Sequence, residues 1–157
     1  MGAGKTSVGQ LLAPRLGLPF HDSDENVAHA AGLSIAELFA HQGEPAFRAL
    51  ERGVLSRLLA GERSVIATGG GAVTEPDTRE ALRDQAFTIW LDASPAVLAG
   101  RLADSEDRPL LAGGDPEPIL DRLAAQRRPF YAAADLRIGT DELAAEEVAE
   151  LILATIR

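Results

Sequence analysis

The chain has no cysteine. That excludes a disulfide framework and any thiolate metal site. It has no apolar run approaching membrane-spanning length, so no membrane partner is expected. No basic, apolar leader opens it, and a cytoplasmic protein is expected. Internal repeats and low-complexity linkers are absent too. Positive charge is scarce: fifteen basic residues face twenty-four acidic ones, a net charge of −9. This balance speaks against nucleic acid as a partner, because phosphate backbones attract basic faces. A small anionic ligand is still compatible, since a few focused arginines override net charge locally. Lysine is the rarest feature. Lys5 is the only one, and every other basic residue is arginine. A compact point charge on a flexible stem suits phosphate.

What is present is a chain of 157 residues with 46 % apolar content, enough for one domain with a real core. Strand-like and helix-like segments alternate, which predicts an α/β fold with a parallel sheet. Helices are expected over 5–16, 24–30, 34–41, 45–59, 78–83, 95–102, from 119 to 125 or on to 131, and 144–156. Strands are expected over 19–22, 64–67, 87–91 and 135–138. Residues 104–118, DSEDRPLLAGGDPEP, break the pattern. A loop that long inside a domain suggests a lid.

The opening MGAGKTS holds the second half of a phosphate-binding loop, with Gly4, Lys5 and Thr6 in the order G-K-[ST]. Glycines let backbone N–H groups turn inward around a phosphate, and the helix behind adds its dipole. Lys5 would reach the β- and γ-phosphates, and the Thr6 hydroxyl would ligate Mg²⁺. The alternative is an ordinary turn before a helix. Asp22 and Asp24, in DSD after a strand, have two readings. Asp22 or Ser23 caps the next helix, or Asp22 and Asp24 place two carboxylates at a strand's C-terminal edge, where α/β ligands bind. In the latter case one supports Mg²⁺ through water and the other accepts a hydroxyl proton.

The segment AFRALERGVLSRLL carries the stripe Phe47, Leu50, Val54 and Leu58. Glu51 falls inside this apolar sector and Arg48 at its edge. A surface ion pair is the bland reading. Charges that point toward the body instead need partners, and an Arg beside a Glu there suggests a planar anion such as a carboxylate. TGGGA ends a strand, and Gly69, Gly70 and Gly71 either make a turn or let a substrate lie on the backbone. Arg108, in the predicted lid, could swing over a transferring phosphate. RRPFY, with Arg127, reads as a helix end stopped by Pro129, or as a second anion clamp. The three histidines show no ligand spacing, and Trp90 reads as core.

In order along nearly the whole chain, MGAGKT, DSD, GLSIAELFAHQGEPAFRALE, TGGGAV, IWLDASPAVLAGRL, RPLLAG and RRPFY resemble shikimate kinase, of the nucleoside-monophosphate-kinase-like P-loop group. The resemblance implies a five-stranded parallel sheet with flanking helices, substrate-binding helices over about 23–59, and a lid at about 104–118. It implies transfer of the γ-phosphoryl of ATP to the 3-hydroxyl of shikimate, with Mg²⁺, by a monomer. Gly2, Ala3, Gly4, Lys5, Thr6 and Ser7 would cradle phosphates. Thr6 would hold the metal directly and Asp22 through water. Asp24 would orient or deprotonate the 3-hydroxyl. Arg48 and Arg127 would clamp the carboxylate, with Glu51 bracing, and Gly69 to Gly71 would meet ring hydroxyls. Arg108 would close over the phosphates and Arg101 would flank the adenine. Phosphoryl transfer of this kind needs positioning and charge stabilisation more than covalent chemistry.

Two departures accompany the resemblance. After the last expected strand, GTDELAAEE lacks the Arg and Pro with which the family often grips adenine. The family also places a buried central strand and the loop's first glycine ahead of MGAGKT. About five aliphatic side chains on such a strand, at roughly 1.5–3 kcal/mol each, would contribute on the order of 10 kcal/mol. A native chain longer by about ten residues is therefore expected, enough for one strand and the loop's start. The competing readings are another small-molecule kinase of this group, such as a gluconate kinase, and a truncated, non-catalytic P-loop binding module.

Overall fold

The computed structural model describes residues 2–102 and 116–156. The predicted lid, with Arg108, lies almost wholly outside them.

Helix α1 (Lys5–Leu16) starts directly on the glycine loop, and Gly4 holds the left-handed conformation at its N-cap, φ 84°. Its end is closed by Gly17, also left-handed, whose N–H reaches back to the last turn. Strand β1 (Phe20–Asp22) follows, then α2 (Ser23–Ala31). The Asp22 carboxylate caps α2 by accepting the Asp24 N–H at 2.9 Å. Next comes α3 (Ile35–Ala60), opened by a capping box in which Ser34 and Glu37 exchange hydrogen bonds. Gly43, at φ 77° and ψ 173°, interrupts α3. The two helices expected on either side of this point are therefore real, joined across a kink.

Strand β2 (Val65–Ala67), a single 3-10 turn (Ala72–Thr74), α4 (Pro76–Gln85), β3 (Ile89–Asp92) and α5 (Pro95–Leu102) come next. Helix α6 (Pro116–Tyr131), β4 (Leu136–Gly139) and α7 (Ala145–Thr155) complete the order. Of the two extents expected for this helix, the longer one, to Tyr131, is observed, and Pro129 does not stop it. The proline lies in the last turn, where one lost backbone bond is cheap. Phe130 and Tyr131 hold that turn through an Arg79 guanidinium and the Trp90 ring.

Among the described residues the strands form two parallel pairs rather than one five-stranded sheet. β1 pairs with β2 in the register Phe20–Val65, His21–Ile66, Asp22–Ala67. β3 pairs with β4 from Ile89–Leu136 to Asp92–Gly139. Between the pairs runs a slot of about 1650 Å³ whose walls include Val8, Leu12, Val65, Ala67, Ile89 and Leu91. The edges of β2 and β3 away from their partners carry no strand among the described residues.

Two apolar clusters hold the elements. Val8 and Leu12 of α1 pack with Leu91, Ile138, Val148 and Ile152 under the β3–β4 pair. Val27, Leu38, Phe47 and Val54 join α2 to both halves of α3. The second cluster fixes the face from which Arg48 and Glu51 project.

Candidate active site

The site begins where β1 ends. Gly2 (φ 70°) and Gly4 (φ 84°) give the loop two left-handed turns that only glycine adopts readily. No side chain caps α1, and a helix N-terminus of this kind suits a phosphate. Thr6 Oγ1 donates to Asp22 Oδ2 at 2.7 Å, tying the loop to the end of β1. Asp22 thus caps α2, the first of its two readings, and its other carboxylate oxygen meets Thr6. Among the described residues no group of three or more acidic or histidine side chains is placed to hold a metal ion by itself. One hydroxyl and one carboxylate nevertheless fit a hard cation that keeps most of its waters and takes further oxygens from phosphate. Lys5 lines the same cavity as Thr68, Gly69 and Gly70.

Two residues past Asp22 stands Asp24, and against it a second cluster. Glu51 is 1 % exposed and Arg127 8 % exposed. Arg48 Nη1 donates to Glu51 Oε2 at 2.6 Å. Its Nε and Nη2 both reach Glu44 Oε1, at 3.3 and 3.1 Å. Burial pulls the Arg48 guanidinium down, but Glu51 and then Glu44 outweigh it and hold the group above its usual value. Burial pushes the Glu51 carboxyl up, the Asp24 charge adds to that, and Arg48 and Arg127 oppose it. Among the described residues Glu51 Oε1 accepts no hydrogen bond, although it is fully buried. A buried acceptor of this kind is waiting for a donor such as a hydroxyl.

The glycine triplet forms the floor. A Cβ on Gly69 would collide with Glu51 Oε1 and lie 2.8 Å from Asp24 Oδ1, and one on Gly71 would overlap the Arg48 guanidinium. The glycines therefore make room for the chain's own charged side chains, beyond any room they leave for a substrate. Ser23 Oγ, fully buried, accepts the Gly69 N–H at 2.9 Å, and the Tyr131 hydroxyl donates to the Gly70 carbonyl.

The structure thus brings Asp24, Arg48, Glu51, Gly69, Gly70, Gly71 and Arg127 together, and Thr6 and Asp22 beside them. Arg101 stands apart from this cluster. Its guanidinium donates to Thr140 O at 2.7 Å and reaches Gly2 O at 3.4 Å, tying the loop's start to the segment after β4. Arg108 lies outside the described residues. The sequence reading took Ser23 only as a candidate helix cap and missed Glu44 and Tyr131. Ser23 was hidden between two more obvious carboxylates. Tyr131 had a visible signal: it is the only tyrosine and follows Arg127 by one helical turn.

A glycine cradle with one lysine, a carboxylate at the adjoining strand end and buried guanidinium groups beyond it define a P-loop small-molecule kinase. A family model described as "Shikimate kinase" matches residues 1–157. A shikimate kinase of Symbiobacterium thermophilum is 50 % identical, the alignment covering all of this chain and 92 % of the relative. One from Caulobacter vibrioides is 46 % identical over all of this chain and 78 % of its own length. The solved shikimate kinase of Acinetobacter baumannii, in complex with shikimate, superposes with a TM-score of 0.94 at 38 % identity, covering 99 % of this chain and 88 % of that one. That of Bacteroides thetaiotaomicron gives 0.90 at 34 %, covering 99 % and 93 %. The chain belongs to the shikimate kinase family.

Proposed function

We propose that the protein transfers the γ-phosphoryl of ATP to the 3-hydroxyl of shikimate, giving shikimate 3-phosphate and ADP on the route to aromatic amino acids. The observation that carries this reading is the set of half-buried Arg48 with buried Glu51 and Arg127, closed against the glycine triplet beside Asp24. Two guanidinium groups with fixed orientation recognise a carboxylate. Glu51 Oε1 and the triplet backbone then face the ring hydroxyls. Asp24 takes the 3-hydroxyl proton as its oxygen attacks the γ-phosphorus and ADP leaves. Gly2 through Ser7 and Lys5 hold the phosphates. Thr6 and Asp22 would hold Mg²⁺, which when bound neutralises charge on the phosphate oxygens. Arg108, outside the described residues, is assigned to the phosphates on the resemblance, and Arg101 to the edge of the adenine side. The protein acts as a single-domain monomer in the cytoplasm.

The slot supports a fifth, parallel strand between β2 and β3, leading into Gly2. Both flanking edges are apolar and lack a second partner among the described residues, and buried unpaired backbone is costly. Supplying an apolar strand ahead of residue 1 should raise the unfolding free energy by several kcal/mol on the scale of side-chain burial, about 1.5–3 kcal/mol each. An extended chain that melts no higher would contradict the five-stranded sheet.

The substrate reading is tested by a coupled ADP-release assay with shikimate and, in parallel, gluconate. Turnover with shikimate alone is expected. Turnover with gluconate would favour a different kinase of the same group, and binding of MgADP and shikimate without turnover would favour a non-catalytic module.

A further inference from the structure

The glycine turn is fastened to the end of α6 from two sides. Arg79 Nη1 donates to the carbonyls of Val73 and Thr74 at 2.7 and 2.9 Å, and its guanidinium lies over the Phe130 ring at 4.3 Å. The next residue, Tyr131, donates its hydroxyl to the Gly70 carbonyl. Its ring stacks on Trp90 with centroids 5.7 Å apart and planes 23° apart. Arg127, one turn earlier on α6, stands close enough to the same phenol for its charge to act on it. Burial pushes the phenol up and Arg127 partly offsets it, so the hydroxyl keeps its proton and remains a donor.

An arginine side chain is long and samples many rotamers, and binding a planar anion requires its fork to be fixed first. Here a rigid ring does the fixing. The Trp90 stack sets the ring's plane, the Gly70 carbonyl sets its hydroxyl, and the fixed phenol then faces Arg127. We propose that Tyr131 is a positioning residue for the acid substrate, linking Arg127 and the Gly70 carbonyl so that α6 and the glycine turn form one fixed rim. The proposal rests on the shikimate reading and adds to it a residue outside the substrate's contacts. It predicts that acid affinity depends on a hydroxyl that never touches the acid, while nucleotide affinity does not.

Tyr131→Phe keeps the ring stack and removes the hydroxyl. Its KM for shikimate should rise about tenfold, the scale of one buried carbonyl left unsatisfied. Its KM for ATP should stay within about twofold, and kcat should move less than KM does. An unchanged shikimate KM in the folded variant overturns the proposal, as does an equal rise in both KM values. A second measurement is independent of that variant's folding. Because the chain has one tyrosine, biosynthetic 3-fluorotyrosine labels Tyr131 alone without changing its shape. Its ¹⁹F resonance should shift on saturation with shikimate and stay in place with MgADP. A resonance indifferent to shikimate overturns the proposal. Wild-type protein without shikimate-dependent ADP release sinks the substrate reading and this proposal with it. An active wild type with an unaltered Tyr131→Phe sinks this proposal alone.

Discussion

Each half of the molecule carries an arginine–carboxylate pair, and the two pairs have the same length in opposite surroundings. Beside the β1–β2 pair, Arg48 meets Glu51 at 2.6 Å with side chains 11 % and 2 % exposed. On the β3–β4 pair, Arg137 meets Asp92 at 2.6 Å with side chains 58 % and 19 % exposed. The exposed pair is flanked by Arg128 and by the Trp90 ring, and water reaches it. Pairs of that kind contribute about 0–1 kcal/mol. The buried pair costs desolvation that its own attraction seldom returns, and it leaves Glu51 Oε1 without a donor among the described residues. Such a pair is built for a third party. Bond length alone cannot tell a site from a surface; burial and an unsatisfied acceptor can.

The largest effect is expected at Asp24, where the two carboxylate roles separate. Asp24→Ala should lower turnover about 10²–10⁴-fold, the range of a lost general base, with the affinity for MgATP nearly intact by titration. Equal loss of both would place Asp24 in the nucleotide site. Next come the glycines. Gly71→Ala drives a methyl into the Arg48 guanidinium, whereas Gly139→Ala on β4 meets open space. The first should cost about 1–3 kcal/mol in denaturant unfolding and raise the shikimate KM. The second should stay within about 0.5 kcal/mol. Similar penalties at both positions would erase the difference between the halves.

A smaller effect concerns pH. The folded Glu51 carboxyl sits above its ordinary value of 4.5, through burial first and the Asp24 charge after it. The unfolded chain therefore ionises first as pH rises. Stability from this group is complete below that value and is lost as pH climbs through the folded one. Unfolding curves of the wild type and Glu51→Gln, collected upward from about pH 4, should show the variant losing less stability over this interval. Parallel curves would mean that Glu51 is an ordinary ion-pair partner. The smallest effect is expected at Arg137→Ala, at most about 1 kcal/mol with unchanged kinetics.

Much of this contrast was legible in one dimension. Periodicity placed Glu51 among Leu55, Leu58 and Val54, and that apolar company predicted its burial. Gly17 after Leu16 marked a helix end through local chemistry. The single lysine marked the phosphate loop. What escaped was contact through space. Ser23 and Gly69 are 46 positions apart, and Tyr131 and Gly70 are 61 apart, so no periodic pattern joins them. The reason Gly71 must lack a side chain is an arginine on another helix. Pro129 left the end of α6 open between residues 125 and 131, and aromatic packing around Phe130 and Tyr131 decides for the longer helix.

The most direct test is calorimetric titration of shikimate into wild-type protein and Arg48→Met, each saturated with MgADP. The account predicts loss of shikimate affinity by about 100-fold or more, the scale of a charge-assisted contact with its partner left buried, with MgADP binding unchanged. A shikimate Kd within about threefold of wild type, less than 0.7 kcal/mol on the affinity scale, would contradict it.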